Sequence, residues 1–105
     1  MITMEDHIAK TVSKLGISSN LLGHGYFCTA VEMARNDAEL INSMIKRLYP
    51  AIALMYGKSP ASIERAMRHA VQTSWDKGNR VMRGRFRKKP DNFHMIEYLS
   101  MIIEN

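Results

Sequence analysis

The chain has 105 residues, a formal net charge of +5 and a hydrophobic content of 46%. This length and composition fit one compact domain with a single core, and no apolar stretch approaches the roughly 20 residues that a membrane span needs. The single cysteine, Cys28, excludes an internal disulfide, and Glu5 and Asp6 stand where a secretory signal would carry lysines, so we expect a cytoplasmic protein.

The charges are divided unevenly along the chain. Residues 1–45 hold three basic and five acidic groups, a net charge of −2, whereas residues 46–105 hold twelve basic and five acidic groups, a net charge of +7. Such asymmetry is typical of proteins that bind a polyanion such as a nucleic acid. A basic solvated surface without a dedicated partner is the alternative that charge alone leaves open.

Apolar residues recur at helical intervals in the first half of the chain, without a sustained strand-like alternation. A first helix is expected from about 4 to 15 and a second from about 25 to 35. A third helix is predicted to end at Leu48, with Asn36 capping its start and Glu39 reaching back to the cap. Its core-facing stripe is Leu40, Ile41, Met44, Ile45 and Leu48.

Proline and glycine mark the helix boundaries in the second half. A short helix is predicted over 50–56 and a longer one over 60–77, each opened by a proline, which suits the first turn of a helix. The turn between them begins with glycine, which is favoured just past a helix end. Two helices joined by so short a turn are typical of a helix-turn-helix, which we place at about 50–77.

A basic connector over 79–89 and a last helix over 90–103 complete the chain. The prediction is therefore an all-α domain of six helices that spans residues 1–105. Tyr49 precedes a proline, so its backbone is expected to lie outside the helical region. In the last helix, Phe93 is expected to face the core together with apolar residues at helical intervals.

The longer helix of the helix-turn-helix has an apolar and a polar face. A rotation of about 100° per residue collects Ile63, Ala66, Met67, Ala70, Val71 and Ser74 on one side. Trp75 lies at the margin of this set, and Arg65 points almost directly away from it. Arginine can bond guanine, glutamine adenine and glutamate cytosine in the major groove. We therefore predict base reading by Ser62, Glu64, Arg65 and Gln72.

Basic and hydroxyl side chains around this helix are candidates for phosphate contacts. The predicted set is Lys58, Ser59, Arg68, His69, Lys77, Arg80, Arg83 and Arg85. The connector alone carries six basic residues within residues 80–89, which would supply sequence-independent affinity that falls with salt. A surface ion pair between Glu64 and Arg68, four residues apart, is the alternative at those two positions.

Enzymatic activity is not indicated. The four histidines have no metal-ligand spacing, Cys28 lacks a nucleophile signature, and the Gly23–Gly25 segment lacks the lysine and strand of a phosphate-binding loop. We predict no catalytic residue, no metal and no cofactor. The alternative is a protein-interaction module that docks an RNA polymerase sigma subunit or another regulator without its own DNA specificity, because amphipathic helices can also dock a protein.

Between residues 15 and 79, many residues also match the sequence pattern of a known protein family. The matching residues are Gly16, Gly23, Tyr26, Ala30, Met33, Asn36-Asp37, Glu39-Leu40, Leu48-Tyr49-Pro50, Ile52-Ala53, Glu64-Arg65-Ala66, Arg68-His69-Ala70, Trp75 and Gly78-Asn79. With these residues, about two-thirds of the chain resembles the C-terminal effector domain of the stage-zero sporulation master regulator of spore-forming bacteria.

This resemblance implies a six-helix transcription factor domain that binds short boxes of double-stranded DNA. It further implies a homodimer on tandem sites and contact with an RNA polymerase sigma subunit. In the family, the residues matching Glu64 and Arg65 read bases, and those matching Arg68 and His69 lie near the DNA backbone. The receiver domain that precedes the effector domain in the full-length regulator is not among the 105 residues. An excised fragment and a stand-alone paralogue are both open at this point.

The chain departs from the family pattern at three places. Ser62 stands where the family usually has arginine, and Cys28-Thr29 replaces its usual Arg-Glu pair. The connector after the recognition helix is shorter and strongly basic. The basic connector favours additional DNA contact over polymerase contact, and the serine at position 62 leaves the identity of the recognised DNA box open.

Overall fold

The computed structural model describes residues 2–103, and within that range it contains six α-helices and no strand. The helices are α1 (Met4–Lys14), α2 (Leu22–Asn36), α3 (Tyr49–Tyr56), α4 (Pro60–Asp76), α5 (Arg80–Arg85) and α6 (Asn92–Ile103). A 3₁₀ helix, Ala38–Ser43, and a π-helix, Met44–Leu48, join α2 to α3. The predicted all-α class with six helices is confirmed. The set differs, however, because the predicted third helix is not an α-helix and α5 lies within the predicted connector.

The segment predicted as the third α-helix is the 3₁₀ helix followed by the π-helix. Asp37, not Asn36, caps it, because the Asp37 carboxylate accepts a hydrogen bond from the Glu39 N–H at 3.2 Å. Turns that are first tighter and then wider than an α-helix change the angular position of each side chain. As a result Ile45 is 78% exposed. The predicted Asn36 cap and the core position of Ile45 are both wrong.

Two further helix boundaries differ from the predicted ones. The basic connector is not all loop: the side chain of Asn79 accepts a hydrogen bond from the Met82 N–H at 2.9 Å and so starts α5, and Met82 is buried. Tyr49 is helical despite preceding Pro50. The π-helix runs directly into α3 and Tyr49 is buried there, so packing outweighs the steric preference of a residue before proline.

The remaining predicted helices differ from the observed ones by a few residues. The second begins at Leu22, three residues before its predicted start. The last begins at Asn92 because the Asp91 carboxylate accepts a hydrogen bond from the His94 N–H at 2.8 Å, the geometry of a helix cap. Phe93 is therefore only half-buried at the start of α6, whereas Met95 takes a position in the core.

The core is built around α2, which contacts α1, α4 and α6. Its buried face includes Phe27, Ala30 and Val31, each with no accessible surface. Because α4 packs directly on this central helix, the core fixes which side of α4 faces outward.

The backbones of α2 and α4 approach each other closely at Gly23. A β-carbon on Gly23 would lie 2.5 Å from the Ala66 carbonyl oxygen and 2.7 Å from the β-carbon of Ala70. Only a residue without a side chain allows the two backbones to come this close. At Gly25, on the same helix, a β-carbon would meet nothing nearer than the Tyr56 hydroxyl at 3.8 Å. Gly23 therefore sets how deeply α4 sits against α2.

Replacing Gly23 with alanine should lower the free energy of unfolding by about 1–3 kcal/mol, because the added methyl group overpacks the contact between the helices. Gly25→Ala is the matched control and should be neutral or stabilising by up to about 1 kcal/mol, since alanine favours the helix. Urea unfolding followed by circular dichroism measures both. Equal effects of the two substitutions would contradict the close contact at Gly23.

Candidate nucleic-acid interface

The helix-turn-helix consists of α3, a three-residue turn and α4. Gly57 has a φ of 65°, in the left-handed region, and the Lys58 N–H returns to the Ala53 carbonyl at 2.9 Å, which closes α3. Ser59 caps α4, because its hydroxyl oxygen accepts a hydrogen bond from the Ser62 N–H at 3.1 Å. The turn is thus held at both ends, and the start of α4 is fixed with it.

One face of α4 is buried and the opposite face is open. The buried residues are Ile63, Met67, Ala70, Val71 and Ser74. Ala66 and Trp75 are half-buried, and Arg65 is exposed on the far side. The two faces predicted from helical periodicity are confirmed, and no packing covers Arg65.

Ser62 and Glu64, both predicted base readers, already have partners within the protein. The Ser62 hydroxyl donates to the Ser59 carbonyl oxygen at 2.8 Å. The Glu64 carboxylate accepts hydrogen bonds from Arg68 Nε at 2.9 Å and from Arg68 Nη2 at 3.4 Å. The hydrogen bonds to Glu64 raise the pKa of Arg68. The ion pair considered at the sequence level is present, and it orients both side chains on the surface of α4.

Gln72 is half-buried, and its side-chain amide is held on both sides. Its Nε2 donates to Asp76 Oδ1 at 2.8 Å, and its Oε1 accepts a hydrogen bond from Lys89 Nζ. Lys89 lies at the end of the connector, so this contact ties the connector to α4. Lys89 was not among the predicted site residues, since two positions 17 residues apart give no periodic signal in the sequence.

The side chains predicted to contact phosphates are all exposed. They are Lys58, Ser59, Arg68, His69, Lys77, Arg80, Arg83 and Arg85. Most are surface groups whose N–H or O–H can reach outward, but Arg83 and Arg85 make additional contacts within the protein.

Arg83 closes the C-terminal end of α4. Its Nε and Nη2 donate to the Trp75 carbonyl oxygen at 3.1 and 2.7 Å, and its guanidinium carbon lies 4.5 Å from the centroid of the Trp75 ring. The contact adds donors to a carbonyl that also accepts from the Gly78 N–H at 3.0 Å, and it puts a positive charge at the negative end of the helix dipole. Arg83 is therefore a structural residue of α4, a role that its sequence position did not indicate.

Arg85 stacks on two aromatic rings. Its guanidinium carbon lies 4.8 Å from the ring centroid of Tyr98 and 5.4 Å from that of Phe86, and the two rings themselves meet edge to face. A cation over the face of an aromatic ring is attracted by the ring, and this contact holds the Arg85 guanidinium beside Tyr98 and Phe86. The connector is thus anchored at Arg83, Arg85 and Lys89 and presents its charges in a defined arrangement.

Cys28 and His24 are neighbours on α2, and neither side chain is fully exposed. Burial raises the pKa of Cys28 to about 11, so its thiol is protonated at neutral pH and is a poor nucleophile. His24 is buried, with one ring nitrogen 3.0 Å from the Ser13 hydroxyl and the other 3.8 Å from the Cys28 sulfur.

Residues 2–103 contain no group of three or more histidine, cysteine, aspartate or glutamate side chains placed to hold a metal ion. None of the helices in that range is long and apolar enough to cross a membrane.

The comparison with known families agrees with this geometry. The sequence profile of the family described as "Sporulation initiation factor Spo0A C terminal" matches residues 8–103. The match includes the helix-turn-helix, the connector and α6, and so extends beyond the residues that carried the resemblance in the sequence. The family is the DNA-binding effector domain of the sporulation regulator. The chain therefore belongs to the sporulation initiation factor Spo0A C-terminal family and is a DNA-binding domain that regulates transcription.

Proposed function

We propose that the chain binds double-stranded DNA sequence-specifically, with α4 in the major groove and the basic connector against neighbouring phosphates. The observation that supports this most directly is the exposure of Arg65 opposite the buried face of α4. The helix is capped by Ser59 at one end and by Arg83 at the other. A recognition surface held in this way loses little conformational entropy on binding.

Arg65 is the principal base reader in this proposal. Residues near the N-terminus of a recognition helix contact base edges, and Arg65 is the sixth residue of α4. Its guanidinium suits a bidentate contact with guanine, and Glu64, held by Arg68, can accept from cytosine N4. Ser62 contributes as an acceptor, because its proton is used within the turn.

The role that we propose for Gln72 differs from that of Arg65. It lies about 10 Å further along the helix axis than Arg65, at about 1.5 Å per residue. Its amide is engaged by Asp76 and Lys89. Reading of adenine by Gln72 therefore requires that the bound DNA replace both contacts.

The phosphate contacts are proposed to lie on both sides of the groove. Lys58 and Ser59 flank the start of α4, Arg68 and His69 lie along it, and the end is flanked by Lys77, Arg80, Arg83 and Arg85. The Arg85 guanidinium, held beside the Tyr98 and Phe86 rings and exposed to solvent, suits a phosphate contact. Arg83, already bonded to the Trp75 carbonyl, contributes mainly its charge.

Three finer features follow from family membership and stay proposals: a homodimer on tandem DNA sites, contact with an RNA polymerase sigma subunit, and a cytoplasmic location. A module that docks a protein without reading DNA is the second candidate function. It is favoured by Leu54 and Met55 of α3, which are 86% and 65% exposed, because large apolar side chains at the surface often mark protein contacts.

Selection of bound duplexes from a random pool, followed by titration of the selected duplex at two salt concentrations, tests the proposal. Wild-type affinity should fall steeply as salt rises. Arg65→Ala should lose about 1–3 kcal/mol of binding free energy and relax the preference at one base position. Lys10→Ala on α1 is the control, since it removes one positive charge outside the helix-turn-helix.

Two results would contradict this account at different levels. A wild-type protein that retains no duplex at either salt concentration would favour the docking module over DNA binding. An Arg65→Ala variant with wild-type affinity and an unchanged selected motif would show that Arg65 does not read a base.

Arg83 has two roles, a contact at the end of α4 and a positive charge near the DNA, and two substitutions can separate them. Arg83→Ala should lower the free energy of unfolding by about 1 kcal/mol, because it removes the helix-end contact and the stacking on Trp75. Arg87→Ala removes the same charge from the same segment and should stay within about 0.5 kcal/mol of wild type. Both substitutions remove one positive charge, so each should make the salt dependence of DNA binding shallower. Equal unfolding free energies for the two variants would refute the capping role of Arg83.

A further inference from the structure

Asn92, the first residue of α6, is buried behind the helix-turn-helix with only 6% of its surface exposed. Its Nδ2 donates to the Tyr49 hydroxyl oxygen at 3.1 Å and to the Glu64 backbone carbonyl oxygen at 3.2 Å. Tyr49 is the first residue of α3, and Glu64 lies in the second turn of α4. One side-chain amide therefore joins three helices beside the base-reading end of α4.

We propose that Asn92 is a positioning residue for DNA recognition, which holds the start of α4 at a fixed angle and depth relative to α3. This inference rests on the proposed function of α4. Its anchor point is the backbone of Glu64, the neighbour of Arg65. A shift of this backbone would displace the Arg65 side chain and the Glu64–Arg68 ion pair together.

α4 borders an open cleft on the side where Asn92 binds it. A cleft of about 640 Å³ borders Glu64 and Arg68 on this side. Its apolar walls include Met44, Ile45 and Phe93. On the core side, Ile63 and Met67 are fully buried and keep α4 attached, but apolar contacts are non-directional. The directional hydrogen bonds from Asn92 restrict the sliding and rotation that apolar packing tolerates.

Stability alone does not account for an asparagine at this position. The Asn92 side-chain carbonyl has no hydrogen-bond partner among the atoms of residues 2–103, and burial of an unpaired carbonyl costs free energy. Burial also raises the pKa of Tyr49, so its hydroxyl is neutral and remains a suitable partner for the amide. A leucine of similar volume would avoid the unpaired carbonyl but would supply no directional contact to α4.

Substitution of Asn92 separates positioning from stability. Asn92→Leu keeps the approximate volume and removes both donors, whereas Tyr49→Phe removes only the bond to α3. For each variant, the ratio of affinities for the selected duplex and for a scrambled duplex is measured well below the melting temperature. The free energy of unfolding is measured alongside. Ser100→Ala is the control, because it changes a second unpaired polar side chain on α6 outside the Asn92 contacts.

Asn92→Leu should lower the selectivity ratio about tenfold, comparable to one mismatched base pair. Its affinity for the scrambled duplex and the salt dependence of that affinity should be unchanged, since no charge is lost. Tyr49→Phe should lower the ratio by a smaller factor of about threefold, as half of the contact remains. Ser100→Ala should keep the wild-type ratio.

A folded Asn92→Leu variant with the wild-type ratio would overturn the inference and leave Asn92 with a structural role only. If Asn92→Leu does not fold, Tyr49→Phe decides, and an unchanged ratio in that variant overturns the inference. A wild-type protein without preference for any duplex would instead overturn the proposed function, and the inference with it. If wild type prefers the selected duplex and both variants keep the same preference, the role of Asn92 is refuted and the proposed function stands.

Discussion

The burial of one face of α4 against α2 is the interaction on which the remaining features of the molecule depend. Side chains such as Ile63 and Met67 have no accessible surface, and full burial of one such side chain contributes about 1.5–3 kcal/mol. Rotation of α4 about its axis would expose this face, so the fold selects one rotational setting. Arg65 is directed outward as a consequence of that setting.

Polar contacts fix the position of α4 more closely than apolar packing does. Ser59 fixes the start of α4, Arg83 its end, and Asn92 its flank next to the cleft. Each of these contacts has a preferred direction, whereas the apolar face mainly supplies free energy. Lys89 adds a contact at Gln72 that holds the connector beside the helix. The basic connector is for this reason an ordered part of the surface rather than a free arm.

The features that the sequence predicted well are those with a local cause. The two faces of α4 follow from a period of about 3.6 residues, and its boundaries follow from Ser59 and Pro60. The 3₁₀ and π segments were missed because their apolar residues also fit the α-helical period, so tighter and wider turns leave no separate signal in the sequence. The short α5 was hidden in a run of charges, with Met82 as its only buried residue.

The contacts that position the site are separated too widely for sequence patterns to reveal them. Asn92 and Glu64 lie 28 residues apart, and Lys89 and Gln72 lie 17 apart. The need for glycine at position 23 arises only once α4 has packed against α2. Sequence therefore predicted which side chains α4 presents, while the elements that hold them in place became evident only from the folded chain.

The most direct test of the account is a map of the DNA-binding surface by NMR. Amide chemical shifts of the ¹⁵N-labelled protein would be followed during titration with the selected duplex. The account predicts that the largest changes occur over residues 58–68 and in the connector, with smaller changes in α1. Largest changes in α1 and the buried side of α2, with residues 58–68 unaffected, would contradict the placement of α4 against DNA.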